Sequence, residues 1–234
     1  MITKGSLTKR VFISRDLRSD SPFLQLLSQE GFAVSGRSLV QFSAINFLHS
    51  PPADWVFCYS SRSADFFLQG LTRLGLPAHR YPQYAALGQG TARRLRELGI
   101  TPAFTGSGEP EETATAFLER ARGQRVLFPH AEQSRQSIQR LLSGRLEMLD
   151  LIVYRNEKIE DARIAPADYV VLTSPLNAEA FVESNPDGTW RFVAIGNTTA
   201  AALDRLGIRH YRIAERASEA AMAELVLHWE KSDK

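Results

Sequence analysis

Two short units carry the residues best suited to chemistry, Gly88-Gln89-Gly90-Thr91-Ala92 and Gly196-Asn197-Thr198-Thr199-Ala200. In each, a glycine ends an apolar run and leaves no side chain to block a ligand. A helical pattern then begins, with Thr91, or Thr198 and Thr199, in its first turn. The unpaired N–H groups and positive dipole end of a helix start favour a carboxylate or a phosphate. Ser60 and Ser61, and Thr173 and Ser174, end two further apolar runs and add hydroxyl donors. Arg15 and Arg62 follow strand-like runs, where a guanidinium can grip a carboxylate through two N–H groups. The chemistry indicated is anion binding. Nucleotides are not indicated, because the glycines do not complete a dinucleotide fingerprint and there is no Gly-x-x-x-x-Gly-Lys-Ser/Thr loop.

Acid–base and metal chemistry find less support. His49, His79, His130, His210 and His228 are scattered without ligand spacing, and no metal site or cofactor is expected. The single cysteine, Cys58, lies in an apolar run and reads as a small core residue. Lys and Arg total 28 against 26 acidic residues, a net charge of +2, so nothing marks a nucleic-acid binder. No stretch has the roughly 18 apolar residues of a membrane span. Met1–Ser6 lacks the apolar core of a secretory signal, which makes a cytoplasmic protein the simplest expectation.

The elements that must position these residues are written twice. Asp54-Trp55-Val56-Phe57-Cys58-Tyr59-Ser60-Ser61 is echoed by Asp168-Tyr169-Val170-Val171-Leu172-Thr173-Ser174-Pro175. The two glycine-threonine units are each followed by a leucine and a Leu-Gly-Ile, and Val11–Ser14 has a weaker partner in Val126–Pro129. The offset of about 110 residues means two similar domains, since solenoid repeats run about 20–50 residues.

Strands are expected at Val11–Ser14, Trp55–Ser60, Tyr84–Gly88, Val126–Pro129, Tyr169–Ser174 and Phe192–Gly196, apolar without alternation as in parallel sheets buried on both faces. Helical spacing between them predicts doubly wound α/β domains. Gly31, Gly75, Gly99 and Gly207 suit helix C-caps, and Thr91 and Thr198 suit helix starts. Arg93, Arg94 and Arg96 read as the solvated face of one helix. Phe32–Phe42 and Leu146–Asn156 read as extended crossings between domains, able to pair as an antiparallel ribbon. Continuous halves, 1–122 and 123–234, are the alternative that the repeat does not separate from a doubly crossing chain. Tyr154 ends the second crossing's Leu151-Ile152-Val153, where its phenol is either a hydrogen-bond donor to a ligand or an aromatic anchor.

These residues resemble the uroporphyrinogen-III synthase family. The resemblance rests on Val11–Arg15, Tyr59-Ser60, Thr173-Ser174-Pro175, Val153-Tyr154, and most on Ala194-Ile195-Gly196-Asn197-Thr198-Thr199-Ala200. Tyr59, Ser61 and His130-Ala131 depart from the family's pattern. The resemblance implies two α/β domains joined by a two-stranded antiparallel ribbon, with a cleft between them. Carried onto this chain, one domain is 1–37 plus 158–234, the other is 43–147, and the crossings are 38–42 and 148–157. It implies a cofactorless cyclisation of the linear tetrapyrrole hydroxymethylbilane, with inversion of ring D and loss of water. Loss of the ring A hydroxyl gives an azafulvene, ring D attacks through its substituted carbon, and the spiro intermediate fragments and recloses.

By the same resemblance, Tyr154 assists departure of the hydroxyl, and Ser60, Thr91, Ser174, Thr198 and Thr199 line the cleft. Arg15, Ser61, Arg62, Gly88, Thr173 and Gly196, read from their own types and positions at the corners, complete the expected substrate contacts. A monomer is expected, with no nucleic acid or membrane partner and transient handover from the preceding pathway enzyme left open. The rival class is a non-catalytic two-domain binding or sensing protein for a small anionic ligand.

Overall fold

The computed structural model describes residues 8–232; Met1–Ser6 and the last residues assigned to the first domain lie outside them. The chain begins with β1 (Arg10–Ile13), α1 (Pro22–Gln29), β2 (Ala33–Gly36) and β3 (Val40–Ala44). Next come β4 (Trp55–Cys58), α2 (Ser61–Arg73), β5 (Gln83–Ala86), α3 (Gln89–Glu97), β6 (Phe104–Thr105) and α4 (Pro110–Ala121). Then follow β7 (Arg125–Ala131), α5 (Ser137–Leu142) and β8 (Glu147–Lys158). The last elements are β9 (Tyr169–Leu172), α6 (Pro175–Ser184), β10 (Arg191–Ala194), α7 (Asn197–Arg205), β11 (Tyr211–Ile213) and α8 (Glu219–Ser232).

They form two compact units. Unit 1 takes the chain up to Gln41 and again from Glu157, and unit 2 is Phe42–Asn156. Unit 1 holds a five-stranded, all-parallel sheet in the order β11-β10-β9-β1-β2. Unit 2 holds the order β6-β5-β4-β7-β8-β3, parallel from β6 to β8. Bonds from Ile45 N to Val153 O and from Ile159 N to Leu39 O run in opposite senses along the two segments, so β3 is antiparallel to β8.

Each sheet is covered on both faces. In unit 2, Phe67, Leu71 and Leu95 from α2 and α3 pack on one face, and Phe117, Ile138 and Leu142 from α4 and α5 on the other. In unit 1, Phe181 and Leu203 from α6 and α7 oppose Phe23, Leu27, Met222 and Val226 from α1 and α8. Burial of such side chains stabilises by about 1.5–3 kcal/mol each before ordering entropy is subtracted. This is the doubly wound α/β architecture that the apolar runs predict.

The sequence echo has a hydrogen-bond counterpart. Asp54 N donates to Arg125 O while its carboxylate accepts from Arg125 N, tying the start of β4 to β7. Asp168 makes the same pair of bonds with Arg10, tying β9 to β1. Ser60 and Ser174 cap α2 and α6, accepting from Ser63 N at 3.1 Å and Asn177 N at 3.2 Å. Gly99 and Gly207 end α3 and α7 with φ of 80° and 81°, and Gly31 and Gly75 do the same at 81° and 68°.

Some boundaries differ from expectation. Strands β5 and β10 stop at Ala86 and Ala194, and Gly88 and Gly196 are the N-caps of α3 and α7 in extended backbone. Thr91 and Thr198 therefore start neither helix; they lie inside the first turn and make no cap bond. Phe32–Phe42 is not one extended run but two strands, β2 and β3, whereas the second crossing is a single strand, β8. Arg94 is not merely solvated, since it pairs with Asp65 at 2.8 Å and Glu97 at 2.9 Å.

Candidate functional site

In unit 2, β4, β5 and β6 end side by side, and the loops beyond their carboxyl ends enclose a depression of about 580 Å³. Its lining includes Ser60, Ser61, Arg62, Gly88, Thr91 and Gly108. The volume lies in the range of small-molecule sites, about 300–1,000 Å³. Two helices, α2 and α3, begin there, so their first N–H groups and dipoles favour an anion. Gly88 keeps the space tight: a Cβ there would come within 3.1 Å of Gly108 Cα, so that turn would have to give by a few tenths of an ångström. Another sizeable depression, about 400 Å³ near Arg163, Asn185 and Trp190 in unit 1, precedes β9 and β10 and so lies at their amino ends. Ligands of open α/β sheets favour the carboxyl ends, which makes it the weaker candidate.

The hydroxyls in the unit 2 corner are partly committed. Ser60 spends its side chain on the α2 cap, while Ser61 Oγ makes only a long bond, 3.4 Å, to Gly90 O. Arg62 is exposed and holds its guanidinium 3.7 Å from the centre of the Phe42 ring, a stacking that orients it without neutralising it. Thr91 is buried. Behind the corner, burial pushes the Cys58 thiol up to about 12, so it stays protonated and inert.

Unit 1 repeats the corner with different commitments. Thr173 Oγ1 donates to Ser14 O at 2.8 Å, and Thr173 N donates to Ser14 Oγ at 2.9 Å, joining the ends of β1 and β9. Ser174 accepts from Asn177, whose Oδ1 accepts from Leu39 N at 2.9 Å. Arg15 is paired with Glu219 at 3.2 Å, and Glu219 also accepts from Ser21 Oγ. Thr199 is fully buried with an unpartnered hydroxyl, whereas Asn197 and Thr198 are exposed at the start of α7. The surface that unit 1 offers an anion is thus the Gly196–Thr198 turn more than Arg15 or Thr199.

The comparison with known families decides the class. The family model described as Uroporphyrinogen-III synthase HemD matches residues 21–224. The chain belongs to the uroporphyrinogen-III synthase family. Among solved structures, uroporphyrinogen-III synthetase from Helicobacter pylori superposes with a TM-score of 0.70 at 20% identity, covering 95% of this chain and 100% of that one. A mutant uroporphyrinogen III synthase from the extremely thermophilic bacterium Thermus thermophilus gives 0.55 at 16% identity, covering 96% and 100%. At such identities both likenesses speak for the fold. No curated protein matches the chain by sequence.

Tyr154, the family's candidate for assisting the hydroxyl's departure, is a largely buried side chain of unit 2. Its ring stacks on Phe66 at 5.1 Å and meets Phe42 at 6.2 Å. These contacts hold the ring of Tyr154 between α2 and the start of unit 2. Tyr154→Phe is therefore expected to keep the fold and lower turnover by less than about tenfold, since a true general acid contributes about 10²–10⁴. A hundredfold loss in a folded Tyr154→Phe, measured as initial rate of isomer III formation, would show that the phenol delivers a proton.

The sequence did not mark Leu87 or Gly108 as site residues, yet they also line the unit 2 depression. The Gly106-Ser107-Gly108 turn ahead of Pro110 was the available signal. Among the described residues no helix is long and apolar enough to cross a membrane, and no group of three His, Cys, Asp or Glu is placed to hold a metal ion.

Proposed function

We propose that the chain cyclises hydroxymethylbilane to uroporphyrinogen III in tetrapyrrole biosynthesis, a lyase reaction that inverts ring D and releases water. The family match over residues 21–224 carries this reading. The corners are suited to it: the substrate bears many carboxylates, and the starts of α2, α3 and α7 together with Arg62 supply N–H donors and positive charge. The same substrate closes uncatalysed to the uninverted isomer, so the protein's work is to choose which pyrrole carbon attacks. Holding reacting groups in one geometry supplies that by proximity and orientation.

In this assignment Ser61, Arg62, Gly88 and Thr91 in unit 2, and Gly196 and Thr198 in unit 1, form the carboxylate contacts, while Thr173 and Ser174 hold the corner through their bonds to Ser14 and Asn177. Arg15 joins them only by releasing Glu219. Ser60 acts through the α2 cap it builds, and Thr199, buried with an unpartnered hydroxyl, takes no direct contact. Tyr154 acts chiefly by shape. The protein works as a cytoplasmic monomer on this linear tetrapyrrole.

Incubation with freshly prepared hydroxymethylbilane, oxidation to porphyrins and chromatographic separation of isomers tests the reading. Predominantly isomer III is expected. Isomer I alone, at the rate without protein, would overturn it and leave the non-catalytic anion binder, which the family match does not favour.

A further inference from the structure

Unit 2 has a second polar assembly where its strand order reverses, between β4 and β7. Register extends Trp55↔Val126 and Val56↔Leu127 to place Tyr59 level with His130. Tyr59 Oη donates to Gln139 Oε1 at 2.8 Å and accepts from Gln139 N at 3.2 Å. Gln139 Nε2 donates in turn to Asp150 Oδ1, which also lies 3.2 Å from His130 Nε2. His130 Nδ1 faces Ala131 O at 2.7 Å, so both ring nitrogens point at oxygen acceptors. Gln136 Nε2 completes the ring of donors, 3.3 Å from His130 Nε2 and 3.5 Å from Asp150 Oδ1.

This chain of bonds spans β4, β7, α5 and β8. His130 and Gln139 are buried, and the only groups in it that carry or exchange charge are His130, Asp150 and Tyr59. Below it the Tyr59 ring meets Phe57 at 5.7 Å and Phe128 at 6.1 Å. Burial, with a smaller contribution from Asp150, pushes the phenol up and keeps it a donor. Tyr59 also lines the substrate depression, and Ser60 and Ser61 follow it directly.

We propose that Gln139, Asp150 and His130 are positioning residues that lock Tyr59, and through it the Tyr59-Ser60-Ser61 turn, in the geometry that grips substrate. The inference rests on reading the unit 2 depression as a substrate contact. Tyr59 Oη points its proton at Gln139, so the network acts on binding geometry and takes no part in bond making. Loosening it should weaken capture of the bilane while leaving the chemical step nearly intact.

Steady-state isomer III formation from hydroxymethylbilane tests this with Tyr59→Phe, Gln139→Leu, Asp150→Asn, the Tyr59→Phe/Gln139→Leu double variant and Arg62→Ala, each with native near-UV circular dichroism. Tyr59→Phe and Gln139→Leu should each raise KM about five- to tenfold with kcat within about twofold, and the double variant should be no worse than either single one. Asp150→Asn, which keeps the shape and removes the charge that orders the amides, should raise KM by a smaller factor. Unchanged KM in the network variants, or KM increases that multiply in the double variant, would overturn the proposal while Arg62→Ala still raises KM. If Arg62→Ala also leaves KM unmoved, the depression is not a substrate contact and the proposal falls with that reading.

Discussion

Gly106→Ala should cost about 3 kcal/mol or more, at or beyond the upper end of overpacking substitutions. Gly106 follows β6, and its N–H donates to Ala86 O at 2.9 Å, holding the edge strand to β5. A Cβ there would stand 2.5 Å from Leu87 O and would collide with the Thr113 side chain. A backbone carbonyl in a strand-to-helix turn has nowhere to retreat, so relief must come from moving the 106–108 turn, whose Gly108 lines the depression. A loss of that size lowers the melting temperature by about 6–12 °C in a chain this long. KM should rise with it. Gly90→Ala is the matched control, because nothing lies within 4 Å of its added Cβ. In the first turn of α3 it should stabilise by up to about 1 kcal/mol. Thermal melts of both variants decide: a Gly106→Ala protein as stable as wild type would mean the turn relaxes freely.

That contrast also marks what was legible in the sequence. Parallel strands buried on both faces are continuous apolar runs, so β1, β4, β7 and β9 stood out, and Gly31, Gly75, Gly99 and Gly207 announced helix ends because only glycine accepts their left-handed backbone cheaply. Edge strands do not announce themselves: β6 has two residues and β11 three, none of them buried. Threonine suggested a helix start at Thr91 and Thr198 because its hydroxyl can cap, but the chain turns at the preceding glycine and those threonines enter the first turn.

The family resemblance supplied a role for Tyr154, while the structure adds that its ring packs against Phe66 and Phe42. The converse holds for Tyr59 and His130. Each departs from the family pattern, and they meet through Gln139 and Asp150 only because β4, β7, α5 and β8 converge, a non-local event that no spacing in the sequence encodes.

Phe57→Ala is expected to unfold unit 2 ahead of unit 1. The two units share backbone bonds but not core volumes: Phe57 and Phe128 stand where unit 1 has Val171 and Ile13. Phe57 is fully buried, with ring centres of Phe117 and Phe128 at 4.9 and 5.5 Å. Removing it costs about 3–5 kcal/mol, because the strand and α4 cannot close over a cavity of that size. Every residue of that core belongs to unit 2, and the clusters built on α1, α6, α7 and α8 draw only on unit 1, so the loss falls on one side. A chain with two such cores need not unfold in one step. Trp55, edge-on to Phe117 at 5.2 Å, reports unit 2, and Trp190 and Trp229 report unit 1. Urea titrations followed by fluorescence, with Trp190 and Trp229 replaced by Phe in one series and Trp55 in the other, should show the unit 2 midpoint falling in Phe57→Ala while the unit 1 midpoint holds. A single shared transition, shifted equally in both series, would show instead that the stability of one unit is drawn from the other.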